Sequence, residues 1–238
     1  MQATRTTSPS TISTRLRGLL ITAGSLLLAG GIVSFLGGFL HPHFEVPNDH
    51  AAVFAEYAAS RNWLWVHYLQ FLSAVTLVAG FVVLYQAMAS YRSVTSLERS
   101  ALAAGVATVA VFAVNMAVDG IALRRAVDAW VSAPAAEKEA RFAAAETVRW
   151  LEWGANSFFQ ILLGLTITLF GLAIARNGII WRFLGWIAGV AGLGFIVGGV
   201  LTGRDGFAGS PFQTVALLLF VAFTIGLLVA GFLTRERE

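Results

Sequence analysis

The chain has 238 residues, 57% of them hydrophobic and 12% charged, where a soluble domain is roughly a quarter charged. With a mean hydropathy of +0.74 and no cysteine, it has too little polar surface to cover a soluble core. It also lacks any disulfide framework, thiolate metal site or cysteine nucleophile. The net charge of +3 comes from scattered arginines without a basic block, so a nucleic-acid partner is not expected; a small basic excess fits inside-positive membrane insertion.

A helix needs about 20 apolar residues to cross a bilayer core of roughly 30 Å. In chain order, six stretches meet that length: 18–40, 63–89, 101–123, 150–175, 183–202 and 212–233. Their unbroken apolarity excludes transmembrane strands, which alternate over about ten residues. The expected fold is therefore all-α, a polytopic helix bundle with six transmembrane helices. Residues 1–14, rich in Ser and Thr, read as a mobile cytoplasmic tail, and 15–238 as one membrane domain. The first apolar run exceeds the 7–15 residues of a signal-peptide core and is followed by no small-residue cleavage site, so it reads as a retained span.

Between the first two spans, Pro42 ends one helix and Asn48-Asp49 caps a short amphipathic one over 51–60. The third and fourth spans should continue past the membrane as a helical hairpin at about 124–149, broken at Ser132-Ala133-Pro134. The fifth span carries glycines at 185, 189, 192, 194, 198 and 199. Such spacing lets helix backbones approach closely, so this span is expected to be the most enclosed, with Gly189 and Gly198 in tight contact. Arg5, Arg15 and Arg17 precede the first span, whereas loop 41–62 holds Arg61 alone. That bias places both termini in the cytoplasm of a bacterial inner membrane.

Ionisable groups inside a span are costly and mark functional sites by default. His67, Asp119 and Glu152 are such groups, and all lie near the outer ends of their spans. Gln70 is three residues from His67, Asn115 four from Asp119, and Asn156 and Gln160 follow Glu152 at four-residue steps. Residues three or four apart share a helix face, so three helices each present a polar stripe at similar depth. Turned toward one another, the stripes would make a pocket open to the outside, taking a small molecule, lipid or ion. The same groups can instead act as interhelical glue, with Arg149 paired to Glu152 and Asp119 to His67 or Arg149.

His41 and His43, with Glu45, Asp49 and His50 nearby, offer imidazole and carboxylate ligands. If His67 and Asp119 join them, zinc is the metal the set would suit, and the residue types resemble those of membrane-embedded zinc hydrolases. A b-type haem would need a second histidine within the bundle, and no Gly-x-Ser-x-Gly nucleophile elbow is present.

Four short motifs carry a resemblance that spans most of the chain. They are His41-Pro42 after a Gly-rich first span, Trp63-x-x-x-His67, Gly80 to Leu84-Tyr85, and Trp150-Leu151-Glu152-Trp153. In these the chain resembles a family of uncharacterised six-span bacterial membrane proteins common in actinobacteria. The resemblance implies the topology and brings no established activity. The expected function is a membrane protein binding a small molecule, lipid or ion in an outer-half polar pocket formed by His67, Gln70, Asn115, Asp119, Glu152, Asn156 and Gln160. The alternatives are a metal-dependent membrane hydrolase using His41, His43, His67 and Asp119, and a structural subunit of a membrane complex.

Overall fold

The computed structural model describes residues 9–234, with side chains from Thr14 onward. The helices are α1 (Pro9–Leu40), α2 (His50–Ala59), α3 (Trp63–Tyr91), α4 (Ser96–Met116), α5 (Arg124–Val131), α6 (Lys138–Asn177), α7 (Arg182–Asp205) and α8 (Pro211–Leu233). A π-helical segment, Ala117–Leu123, joins α4 to α5 without a break, and a 3-10 turn, Ala135–Glu137, leads into α6. No strand occurs among the described residues. Six stretches are long and apolar enough to cross a membrane: Thr14–Leu40, Trp63–Tyr91, Ser96–Val131, Ala135–Asn177, Arg182–Asp205 and Pro211–Leu233. Of the expected N-terminal tail, 1–8 lies outside the described residues, while Pro9 already begins α1.

Local chemistry sets the boundaries. The last backbone hydrogen bond of α1 runs from His41, and Pro42 has no N–H to continue the ladder. Asp49 caps α2 by accepting from Ala52 N at 3.2 Å. Thr95 and Glu98 form a capping box at the start of α4. Glu98 also accepts from Asn177 at 2.6 Å and from Arg92 at 3.0 Å, tying the α3–α4 turn to the end of α6. Gly178 (φ 64°) then closes α6 in the left-handed conformation.

The membrane helices close a ring in the order α1, α3, α4, α6, α7, α8 and back to α1. Phe81, Phe170, Phe223, Leu27, Leu84 and Leu227 fill its core, all essentially without exposure. With 40 residues, α6 is about 60 Å long, twice the hydrocarbon thickness. Its first third packs on α5 and α2 around a second core of Phe54, Tyr57, Trp63, Leu123, Val127 and Ala145. Arg124 locks α2 in place, donating to the carbonyls of Tyr57 (2.6 Å), Ser60 (3.0 Å) and Ala58 (3.2 Å). These belong to the last turn of α2 and its cap, where a helix end leaves carbonyls short of partners.

The α6–α7 contact is the tightest in the ring. A Cβ on Gly171 would lie 2.6 Å from the carbonyl oxygen of Gly185, and one on Gly164 would lie 2.5 Å from that of Gly192. Two expectations for the fifth span need correcting. The most enclosed span is the fourth, with 50% of its apolar stretch buried against 44% for the fifth, because α6 packs on α4, α5 and α7. Gly189 has open space where a Cβ would stand, while Gly198 does face a close neighbour, the Gln213 side chain.

Candidate functional site

The ends of the helices that carry loop 41–62 and the α5–α6 hairpin enclose a cavity of about 750 Å³. Asp119, Glu152, Asn115, Asn156, Gln70 and Gln160 all line it, together with His41 and His43. His67 lies behind Asp119, with its Nε2 3.0 Å from the carboxylate Oδ2.

Three features bring His67 and Asp119 together. The π-helical turn at Ala117–Leu123 adds a residue to the helical repeat and so rotates the following segment relative to α4. Gly120 then presents no side chain where α3 passes, since a Cβ there would lie 2.8 Å from the His67 Cβ. Trp63 fastens the crossing by donating its indole N–H to the Gly120 carbonyl at 2.9 Å.

Each imidazole is oriented by a backbone carbonyl. His67 Nδ1 donates to Trp63 O at 2.7 Å, and His41 Nδ1 donates to Pro42 O at 2.8 Å. Because a carbonyl only accepts, the proton in each ring sits on Nδ1 and the Nε2 lone pair is left bare in the neutral form. Burial holds the His41 pKa below the usual imidazole value, with the nearby Asp119 carboxylate opposing that shift. One ring nitrogen of each histidine and an Asp119 oxygen lie within 4.8 Å of one another.

Arg149 and Glu152 form a buried ion pair at 2.7 Å, with side chains 3% and 5% exposed. The guanidinium also donates to Pro47 O at 3.3 Å and lies over the Phe207 ring, 4.6 Å from its centroid. Tyr57 sits on its other flank, and burial pushes that phenol's pKa up, keeping it neutral.

Deeper in the cavity is an amide cluster. Gln160 donates to Asn156 Oδ1 at 2.5 Å, Gln213 donates to Gln160 Oε1 at 2.7 Å, and both glutamines reach Thr202 Oγ1 at 3.3 Å. Asn115 stands apart: it is wholly buried, and neither amide atom has a hydrogen-bond partner among the described residues.

Some candidates lie outside the His41–His67–Asp119 group, although His43 and Glu45 still border the cavity. His43 is exposed and donates from Nδ1 to His41 O at 2.6 Å, outside the His41–His67–Asp119 group. His50 pairs with Glu146 at 2.9 Å, and Asp49 is spent on the α2 cap. Glu45 lies in the exposed loop, its backbone N–H donating to Glu56. Sequence reasoning missed Gln213 and Thr202 because it weighed charges in the last two spans and passed over neutral amides and hydroxyls. It also missed the π-helical turn, for which Asp119-Gly120 within an apolar run was the available signal.

Six apolar spans in a closed ring make this a multi-pass, membrane-type helical protein. Its residues 22–234 match the model of a family described as a domain of unknown function, DUF4386, and the chain belongs to that family. No curated protein and no solved structure matches it.

Proposed function

We propose that this protein binds an amphiphilic small molecule, such as a single-chain lipid, with its polar group among Asp119, Arg149 and Glu152 and its apolar part along the lower cavity. Asn115 carries the reading. A buried amide with no partner costs about 1–3 kcal/mol, and native structures seldom leave one so. This one stands in the wall of a cavity large enough for a ligand, which would satisfy the amide once the side chain turns to meet it. Below the amides, Leu77, Leu163, Ile167, Phe195 and Phe220 supply an apolar floor suited to a hydrocarbon chain.

The cavity also has a side door. Near the short-loop end α1 and α8 touch, as a Cβ on Gly24 would lie 2.7 Å from Leu228. Toward the other end both helices line the cavity, through Gly31, Phe35 and Gly38 on one side and Thr214 and Leu217 on the other. Gly31 and Gly38 face open space, and Phe35 is 66% exposed. A lipid-sized molecule could enter there from the bilayer. With the termini cytoplasmic, as the arginine bias suggests, the polar end belongs to the outer half of a bacterial inner membrane.

The test is native mass spectrometry of protein released from mild detergent, with organic extraction of whatever accompanies it. A stoichiometric amphiphile is expected, and it should be lost when Gly31→Trp and Gly38→Trp close the side door. Protein free of any amphiphile, also after incubation with monoacyl lipids of varied headgroup, would refute the reading.

A further inference from the structure

We propose that His41, His67 and Asp119 form a binding site for one divalent transition-metal ion of the zinc class. The inference stands apart from the amphiphile reading and does not need it.

The first ground is the set of bare ligand atoms. His67 Nε2 lies 3.0 Å from Asp119 Oδ2, yet it makes no aligned hydrogen bond, and Nε2 and Asp119 Oδ1 are both buried without a partner among the described residues. With His67 Nδ1 donating to Trp63 O, Nε2 of the neutral ring and the carboxylate oxygen are two lone-pair atoms only 3.0 Å apart. That arrangement is repulsive unless a proton or a metal cation stands between them. In a tetrahedral zinc site, bonds of about 2.0 Å put neighbouring ligands about 3.3 Å apart, close to the spacing found.

The second ground is the support behind the ligands. Metal-bound histidines characteristically donate their other ring N–H to a carbonyl or carboxylate, which fixes tautomer and ring direction. Trp63 O and Pro42 O do this for His67 and His41. The set spreads to 4.8 Å, so metal binding draws one member inward. His41 is the member outside a helix, one residue beyond α1, so a shift there disturbs no helical backbone.

The third ground is charge. Asp119 and Glu152 are two buried carboxylates, and among the described residues Arg149 is the one buried guanidinium facing them. With both imidazoles neutral and both carboxylates ionised, the group carries one excess negative charge in a low-dielectric setting, where an uncompensated charge is expensive. A divalent cation reverses that sign. Histidine nitrogen and carboxylate oxygen together suit zinc and its neighbours rather than calcium or magnesium. Three protein ligands also leave a coordination position for water or a ligand group, and Asp119 and His41 both line the cavity.

The test uses full-length protein purified through a tag without histidines. It is stripped with chelator and titrated with Zn²⁺ or Co²⁺, and metal is counted by mass spectrometry after gel filtration. The expected result is about one ion per chain, with the visible absorption of four-coordinate Co²⁺. His67→Gln and Asp119→Asn should bind more than a hundredfold more weakly, beyond the 10–100-fold that loss of a supporting residue costs. His43→Gln and His50→Gln should bind as the parent does. Retention by His67→Gln and Asp119→Asn would overturn the site. If those variants do not fold, the parent protein decides: failure to take up metal, or a Co²⁺ spectrum of the octahedral hydrated ion, would mean a metal-free His67–Asp119 ion pair instead. Because no amphiphile is used, loss of the metal site leaves the ligand reading standing, and the converse also holds.

Discussion

Gly120 and His67 meet where α3 crosses the π-helical turn, and a single methyl group on Gly120 would stand 2.8 Å from the imidazole's Cβ and 2.9 Å from its Cγ. Neither helix can yield easily, because the Trp63 indole ties them together one turn away. Gly120→Ala is expected to push His67 off Asp119 and to lower stability by roughly 1–3 kcal/mol through overpacking. Unfolding in a detergent–denaturant titration measures the loss. Wild-type stability in Gly120→Ala would show that the crossing is looser than the structure has it.

Glu152→Gln keeps shape but leaves Arg149 charged, buried and without its carboxylate. Removing one partner of a buried pair typically costs about 3–5 kcal/mol, whereas replacing both by apolar groups of similar volume is often near neutral. The single variant should therefore be markedly less stable than Arg149→Met combined with Glu152→Leu. Measuring Arg149→Met and Glu152→Leu singly on the same titration completes a double-mutant cycle. Simple additivity would mean that water already screens the pair.

Helices α6 and α7 approach backbone to backbone at Gly171 and Gly185, where a Cβ on Gly185 would stand 2.5 Å from both Ala175 N and Gly171 O. Backbone cannot swing aside as a side chain can, so Gly185→Ala should cost at least the roughly 1–3 kcal/mol of ordinary overpacking. Gly189→Ala, with nothing within 4 Å of the new methyl, should fall within about 0.5 kcal/mol of the parent. Comparing melting temperatures of the two variants in one detergent checks the contrast, and equal losses would contradict this packing.

The spans were legible because apolarity over about 20 residues is dictated by bilayer thickness and needs no tertiary information. The polar stripes were legible for a similar reason, since the four-residue step from Glu152 to Asn156 and Gln160 follows from helix geometry alone. Which glycine touches what was not legible. Gly185 and Gly189 lie on one helix with the same residue type, and the path of α6 past them decides that one is crowded and the other free. The part played by Arg124 was hidden in the same way. Its i, i+4 spacing to Asp128 accounts for the pair that forms at 2.9 Å, but its three contacts to the end of α2 depend on how the hairpin folds back. His41 looked like a loop histidine beside His43, and only the turn at Pro42 carries one toward His67 and leaves the other exposed.

Orientation governs which compartment would supply the proposed ligand and metal, and it can be tested directly because the chain contains no cysteine. Three arginines precede the first span and one lies in the loop that follows it, from which the positive-inside rule predicts that the His41 end of the bundle faces outside. Single cysteines are introduced where the side chain is exposed and plays no part in a cap or contact described above. Glu45→Cys and Ala136→Cys report the end with the long loop and hairpin, and Ser93→Cys and Arg99→Cys report the opposite end. In intact cells, a membrane-impermeant maleimide should label positions 45 and 136 and spare 93 and 99 until the membrane is opened. The reverse pattern would turn the cavity toward the cytoplasm. The ligand and metal would then be drawn from inside the cell, while the contacts among His41, His67 and Asp119 would stay as they are.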